Sequence, residues 1–246
     1  MGRLVILAGP SCVGKGPLQA ALGKFYPELA MRLRKLVLYN SRAPRPGESE
    51  GVDYYFRTSD EIKELRGKDG FAVFDVRGDL QALELRELEE QLGDGDVFFE
   101  GNPFVGCALL THPALAQTPK LAAFLSPLCG EEIRELVTRH VNLPDFLTNV
   151  MRRKLLRRAQ RQQGILSLRE LENIEKRAAS AYREMLLAPE FPYVIPNHDG
   201  EDSEHWDAFY YPIGDARSAL RALAALLGGE DTEYVEQWER AIFGAK

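Results

Sequence analysis

LVILAGPSCVGKGPLQAAL, residues 4 to 22, decides how the rest of the chain is read. A short β-branched apolar run bounded by Gly9 reads as a buried strand, and the stretch after Lys15 reads as a helix to about Phe25. Between them Gly9, Gly14 and Lys15 satisfy the G-x-x-x-x-G-K part of a phosphate-binding loop. Glycines let successive backbone N–H groups turn inward around phosphate oxygens, and the helix N-terminus adds its positive end. The expectation is that Gly9, Pro10, Ser11, Cys12, Val13, Gly14, Lys15, Gly16 and Pro17 cradle the phosphates of a nucleotide. The plain alternative is a Gly-rich strand–helix turn carrying an exposed lysine.

The loop departs from the usual pattern in three places. A Ser or Thr hydroxyl after the lysine normally helps hold Mg²⁺, but here Gly16 and then Pro17 follow. Proline is tolerated in a first helical turn because its N–H would be unpaired there. In a phosphate loop that N–H has a phosphate partner, and losing one charge-assisted bond costs about 1–3 kcal/mol, roughly one to two decades in affinity. Cys12 stands where a loop glycine is common. It reads either as an activated thiol at a helix start or as a tolerated small side chain.

Outward from the loop, strands and helices alternate. KLVLYNS, VDYYFRT, FAVFDV, DVFFEG, KLAAFLSP and FPYVIPN read as strands. TSDEIKEL starts a helix with Thr58 and Glu61 at capping-box spacing. LQALELRELEEQL and EEIRELVTRH read as helices, and residues 144 to 187 as almost wholly helical with a break near Gly164. The tail from Gly214 offers two more helices, with Trp238 on the second. The alternation favours an α/β fold with a mainly parallel sheet covered by helices, ligands sitting at the carboxyl ends of its strands.

Bulk properties narrow the function. The formal net charge of −6 argues against non-specific nucleic-acid binding. Cys12, Cys107 and Cys129 form no CxxC pair, so neither a zinc site nor a disulfide framework is expected, and His198 and His205 near acids make only a thin metal motif. No segment approaches transmembrane length. The opening apolar run leads into a glycine turn rather than a cleavage site, and Ile6 sits where a myristoylation signal wants Ser or Thr, so the cytoplasm is the expected compartment.

SRAPRPGESEGVDYYF, residues 41 to 56, is the most specific stretch. Arg42 and Arg45 flank a proline-stiffened turn, and guanidinium forks suit phosphate. A solvated basic loop is the bland reading of the same residues. Taken with the loop, GPSCVGK, SRAPRPGE and GVDYYF resemble the guanylate kinase family, and FLSPLCGEEIREL and FPYVIPNHDGED resemble its later segments, so the likeness spans about residues 3 to 202.

The resemblance implies a P-loop-containing nucleoside triphosphate hydrolase fold with a core, a lid and a monophosphate-binding arm. It places the family-like domain at residues 1–213, with 214–246 as a helical extension packed on it. It implies phosphate transfer from ATP, with Mg²⁺, to GMP or another small phosphorylated acceptor. Lys15 and the loop would hold ATP phosphates, and Asn197 would lie near the ATP base. Ser41, Arg42, Arg45 and Tyr54 would hold the acceptor phosphate. Lid arginines would come from MRRKLLRRAQR, where Arg153, Arg157 and Arg161 share one helix line. Lys15, Arg42, Arg153 and Arg157 are thus the expected catalytic set.

The departures cluster on acceptor recognition. The family's guanine-reading glutamate falls on Val73, with Asp75 two residues on as a substitute on the same strand side. The family's Y-G-T/S turn is absent, a serine four before the first arginine is Leu38, and the D-x-D strand end appears as FFEGN, leaving Glu100 as the lone carboxylate for acceptor or Mg²⁺. Three readings stand: a kinase of the guanylate kinase type, a catalytically impaired nucleotide-binding or protein-interaction module on that fold, and a sugar-phosphate kinase related to it.

Overall fold

The strands, in the order of the chain, are β1 (Leu4–Ala8), β2 (Leu33–Lys35), β3 (Leu38–Asn40), β4 (Tyr54–Phe56), β5 (Phe71–Val76), β6 (Asp79–Glu84), β7 (Asp96–Gly101), β8 (Lys120–Ser126) and β9 (Tyr193–Pro196). The helices are α1 (Lys15–Phe25), α2 (Pro27–Ala30), α3 (Ser59–Leu65), α4 (Leu85–Asp94), α5 (Pro103–Thr111), α6 (Gly130–Thr138), α7 (Leu143–Gln163), α8 (Leu168–Met185) and α9 (Gly214–Gly228). The computed structural model describes residues 2–45 and 47–244.

β1 is the centre of an all-parallel sheet ordered β2-β7-β1-β8-β9. Its side chains alternate between two cores: Leu4, Ile6 and Ala8 pack with α5 and α6 residues such as Leu109 and Ile133, while Val5 and Leu7 pack with α1 and α9 residues such as Leu18, Leu220 and Leu223. Burial on both faces explains why β1 reads as a continuous apolar run. α9 thus completes one face of the core, with Ala219, Leu220 and Leu223 buried there. Among the described residues no helix is long and apolar enough to cross a membrane.

A second sheet, ordered β4-β3-β6-β5, forms the arm. α3 covers its outer face through Ile62, packed with Leu80 and Ala82. The Thr58–Glu61 capping box starts that helix: Glu61 N–H donates to Thr58 Oγ1 at 3.2 Å, and Thr58 N–H to Glu61 Oε2 at 2.7 Å. α7 and α8 form the antiparallel lid, broken at Gly164 where the sequence pattern breaks.

Three elements differ from the sequence expectation. KLVLYNS is split: Leu36 N–H still bonds to Phe98 O of the core sheet, then the chain leaves and Leu38–Asn40 joins the arm sheet. One apolar run serves two sheets, which periodicity does not reveal. LQALELRELEEQL begins as β6, not helix, because residues 77 and 78 turn the chain into a hairpin; Arg77 (φ 59°) and Gly78 (φ 86°) both take the positive-φ conformation of a two-residue hairpin turn. Among the described residues the second tail α-helix is absent, and only a short 3-10 helix forms at Arg240–Phe243. Glu236 instead exchanges both backbone hydrogen bonds with Val194 at the edge of β9, and Trp238 follows that bridge in non-helical chain.

Candidate functional site

One cavity of about 260 Å³ lies where the loop, the arm sheet and the lid meet, at the carboxyl ends of β1 and β7. Eight basic side chains line it against five acidic ones, in a chain whose net charge is −6. That local reversal of sign marks a site for an anion.

The loop enters it from β1. Gly14 has φ 101°, where only glycine is unstrained, and a Cβ there would lie 2.6 Å from Asn197 Nδ2. Cys12 takes the same left-handed region, φ 65°, in place of the usual glycine. Its thiol is buried, and burial, with Glu201 adding to it, pushes its pKa up to about 12. An activated thiol is therefore ruled out, and Cys12 is the tolerated small side chain. Lys15 is buried rather than exposed, and its Nζ donates to Gly9 O at 2.9 Å and Pro10 O at 2.8 Å. Burial lowers its pKa while Glu201, Glu100 and Glu184 act in the opposite sense. Gly14 N–H donates to Glu201 Oε2 at 3.1 Å. Gly16 is exposed and Pro17 half-buried, and neither has a hydroxyl to offer the cavity.

Asn197 lies beneath the loop. Its Nδ2 donates to Val13 O at 2.8 Å and to Asp199 O at 2.7 Å, so its amide props the loop from below.

The arm brings Arg42, Arg45 and Tyr54 to the opposite wall. Arg42 donates through both Nη atoms to Glu48 at 2.6 Å and stacks over the Tyr54 ring at 5.1 Å. Burial would lower its pKa, but the bonds to Glu48 outweigh that and raise it. Arg45 has only a 3.9 Å approach to Glu48, and burial beside Arg42 lowers its pKa. Ser41 is held away from this wall: its Oγ accepts the Leu80 N–H at 2.7 Å and staples β3 to β6. Glu100, at the end of β7, lines the cavity with its pKa raised by burial, an effect that nearby Lys15 opposes.

Period two decides which arm residues face the cavity. Asn40 pairs with Gln81 and Val76 with Asp79, and all four line it. Val73 packs outward beneath α3 with Ile62 and Leu80. Asp75 shares that outward face, is exposed, and accepts the Gly78 N–H at 2.9 Å. The substitute reader expected at Asp75 is thus on the side of the strand away from the cavity, and the carboxylate that the β5–β6 hairpin turns to the cavity is Asp79. Asn40, almost fully buried, leaves its Nδ2 without a partner.

The lid supplies Arg158 and Arg177 rather than the arginines expected from the helix line. Arg153 is exposed outside the cavity lining, Arg157 lies 3.6 Å from Asp202, and Arg161 reaches Glu204 at 3.1 Å. A one-residue shift on a helix turns a side chain by about 100°. Arg158 Nε is a buried donor with no partner, and Arg177 Nε donates to Ser11 Oγ at 3.1 Å. Burial, then Arg158, Arg45 and Arg77, drives the Arg177 pKa well down. A guanidinium stays charged even so, which makes this a cluster of cations short of an anion. Arg77 is pinned on the buried Glu184 through Nε at 2.7 Å, and Asn102 Nδ2 donates to the same oxygen at 3.0 Å. Arg177, Arg158, Asn40 and Asp79 were not singled out from sequence; the hairpin turn Arg77-Gly78 was the signal that would have set the arm register.

The geometry can be set beside known proteins. The profile of the guanylate kinase family matches residues 1–72. A guanylate kinase of Synechococcus sp. (strain JA-3-3Ab) is 32% identical over 212 residues, 86% of this chain and 83% of the relative. The chain belongs to the guanylate kinase family. The guanylate kinase of Thermosynechococcus vestitus is 31% identical over 82% of this chain and 89% of its own. The crystal structure of guanylate kinase from Anaplasma phagocytophilum superposes with a TM-score of 0.54 over 94% of this chain and 88% of that one, at 18% identity, and bears on the fold alone. The protein is thus a P-loop nucleotide kinase by family, with a mainly parallel α/β core. The profile match ends inside β5, where the arm begins to depart from the family pattern.

Proposed function

We propose that the cavity is a phosphoryl-transfer site: the loop takes the phosphates of ATP, and the arm takes GMP or another small phosphorylated acceptor. The observation that carries this is the convergence of Lys15, Arg45, Arg158 and Arg177 on one cavity, with a buried Arg158 donor left unpaired. Buried polar groups are paired in native proteins, so such a donor calls for a ligand.

In this reading the loop N–H groups and Lys15 grip the donor, while Arg42, Arg45 and Tyr54 hold the acceptor phosphate in line. An acceptor oxygen attacks the γ-phosphorus as the bond to ADP breaks. Arg158 and Arg177 neutralise charge on the transferring group, which is most of what a protein contributes to this chemistry. The lid arginines expected from sequence, Arg153 and Arg157, lie outside the cavity lining and are not given that role. Asn40, Gln81 and Asp79 face the far end of the acceptor, with Asp79 as the carboxylate open to N–H or O–H donors. Mg²⁺ would be held through Glu100, since neither residue after Lys15 carries a hydroxyl and magnesium binds through one or two carboxylates plus phosphates and water. The ion would supply charge neutralisation at the phosphates.

The test is ADP formation from Mg-ATP against a panel of nucleoside monophosphates and sugar phosphates. Turnover with one acceptor class supports the proposal and names the acceptor. ATP binding without turnover of any acceptor replaces it with the impaired-module reading.

A further inference from the structure

We infer that Glu201 is a donor-site residue: its carboxylate holds a phosphate position of the loop, and a polyphosphate donor binds by displacing it. This rests on the donor reading proposed above.

The contact is long-range and specific. Gly14 N–H, a backbone donor of the loop, bonds to Oε2 of the cavity-lining Glu201 at 3.1 Å across 187 residues of chain. An inward N–H of such a loop is the group a phosphate oxygen takes. Glu201 also lines the cavity beside Lys15. Burial pushes the Glu201 carboxyl up, but Lys15, Arg158 and two backbone N–H groups hold it below the usual range, so it is an anion at neutral pH. Lys15 is meanwhile turned back onto the Gly9 and Pro10 carbonyls. One loop N–H and the loop lysine are therefore satisfied from within.

The turn that delivers Glu201 is built for close approach. A Cβ on Gly200 would lie 2.2 Å from Cys12 O, so only glycine lets this turn press on the loop. The turn is braced on several sides. Trp206 Nε1 donates to Asp199 O at 2.9 Å and Gly200 O at 3.0 Å, Asp199 accepts the Ala216 N–H at 3.0 Å, and Ser203 Oγ donates to Asp199 at 2.8 Å. With the backbone fixed, release takes a rotation of the Glu201 side chain rather than movement of the chain. Donor affinity is then set by a competition: the same N–H serves either the internal carboxylate or the phosphate, and the same lysine either the Gly9 and Pro10 carbonyls or the phosphate. Pro17, which offers no N–H, leaves fewer donors over which to win it.

The experiment is calorimetric titration of inorganic tripolyphosphate and of Mg-ATP into the wild type, Glu201→Gln, Glu201→Asp and the control Glu204→Gln, whose carboxylate lies outside the cavity lining. Removing the charge should tighten both ligands about tenfold, the scale of one charge-assisted bond. Glu201→Asp, one methylene short of the loop, should tighten them less, and Glu204→Gln should change nothing. Without ligand Glu201→Gln should melt below the wild type, because Lys15 and Arg158 lose a counter-charge, and ligand should raise its melting point by more. Trp206 fluorescence should shift on binding in the wild type and less in Glu201→Gln. Equal or weaker binding by a cooperatively melting Glu201→Gln overturns the inference while leaving the donor reading intact. Equal tightening by Glu204→Gln also overturns it, because overall charge would then suffice. No binding by any of the four proteins overturns the donor reading and this inference with it.

Discussion

In the arm an internal carboxylate stands beside its arginine; in the loop one stands in front of its glycine. Glu48 comes from the same turn as Arg42, six residues on, and grips the end of its fork, Nη1 and Nη2, with both oxygens at 2.6 Å. Arg45 and Tyr54 remain turned to the cavity. Glu201 comes from the far end of the chain and takes the loop N–H itself. A local carboxylate engages one arginine and leaves its neighbour Arg45 turned to the cavity, whereas a remote one takes the loop N–H that a donor phosphate would use. On the proposed reading the arm keeps one guanidinium for its anion in advance, and the loop must be emptied first.

The largest expected effect falls on the loop. Lys15→Ala removes the only lysine of the loop and should weaken Mg-ATP by about 100-fold or more in calorimetry, with acceptor binding nearly unchanged. Binding that survives the change breaks the comparison, since the loop would then not be the donor site. Next come the arm arginines. Arg45→Ala should raise the acceptor KM about tenfold for every phosphorylated acceptor alike, by loss of charge-assisted bonds. Arg42→Ala should do worse, roughly 30-fold, because it also takes from Glu48 its two closest charged contacts and leaves that carboxylate to repel the anion, with only the Arg45 N–H and a 3.9 Å approach of Arg45 remaining. If Arg42→Ala is the milder of the two, Glu48 is not the orienting group.

Pro17→Thr sharpens the contrast from the donor side. It restores an N–H and a hydroxyl at the helix start, and should tighten Mg-ATP by up to about tenfold. Unchanged affinity in a folded variant would mean that Glu201, and not the missing N–H, limits the loop. On the acceptor side, Asp79→Asn should shift the ratio of kcat/KM between acceptors by about three- to tenfold, the size of a single hydrogen-bond change. Asp75→Asn should leave that ratio where it is, its carboxylate being spent on the Gly78 N–H. The reverse outcome would place the acceptor on the other side of β5.

What could be read from the sequence follows the same division. β1, the loop and α1 were legible because glycine, lysine and a buried strand each have their own chemistry at fixed spacing. Arg42 and Arg45 were legible as residues of interest for a similar reason, since proline and paired forks mark the turn, and both line the cavity. The acceptor wall was not, because a strand presents opposite faces at alternate residues and one misjudged turn moves every side chain across. Reading LQALE as helix hid the hairpin at Arg77-Gly78, and with it Asp79 and Gln81. On the lid the cavity takes Arg158 where the helix line pointed to Arg157, since a run of arginines on a helix carries no mark of which one faces inward, and Arg177 lies on the other lid helix. Glu201 was out of reach altogether: nothing local in HDGED says that its carboxylate meets Gly14.

The smallest expected effect concerns the segment that carries Glu201. His198, just before it, bridges two helices: Nε2 meets Glu132 of α6 at 2.8 Å, and Nδ1 meets Asp215 of α9. Lys154 of α7 donates to the His198 carbonyl, so three helices and the turn meet at this residue. Burial of the ring would lower its pKa, but the bonds to Asp215 and Glu132 win and raise it. The folded pKa then lies above the unfolded value of about 6.5. Such a group contributes stability that is fully present below the unfolded pKa and is lost as pH rises through the folded one. The ring is 47% exposed, so solvent screening keeps the contribution small. The melting temperature of the wild type should exceed that of His198→Gln at pH 6, and the gap should narrow through pH 8. His205 is common to both proteins and cancels. The arm sheet, residues 38 to 84, contains no histidine, so acceptor binding should not follow the same curve. A gap that stays constant across this range would mean that the imidazole holds the turn by packing alone. A gap that narrows while donor affinity stays flat would mean that the turn keeps Glu201 in place without this latch.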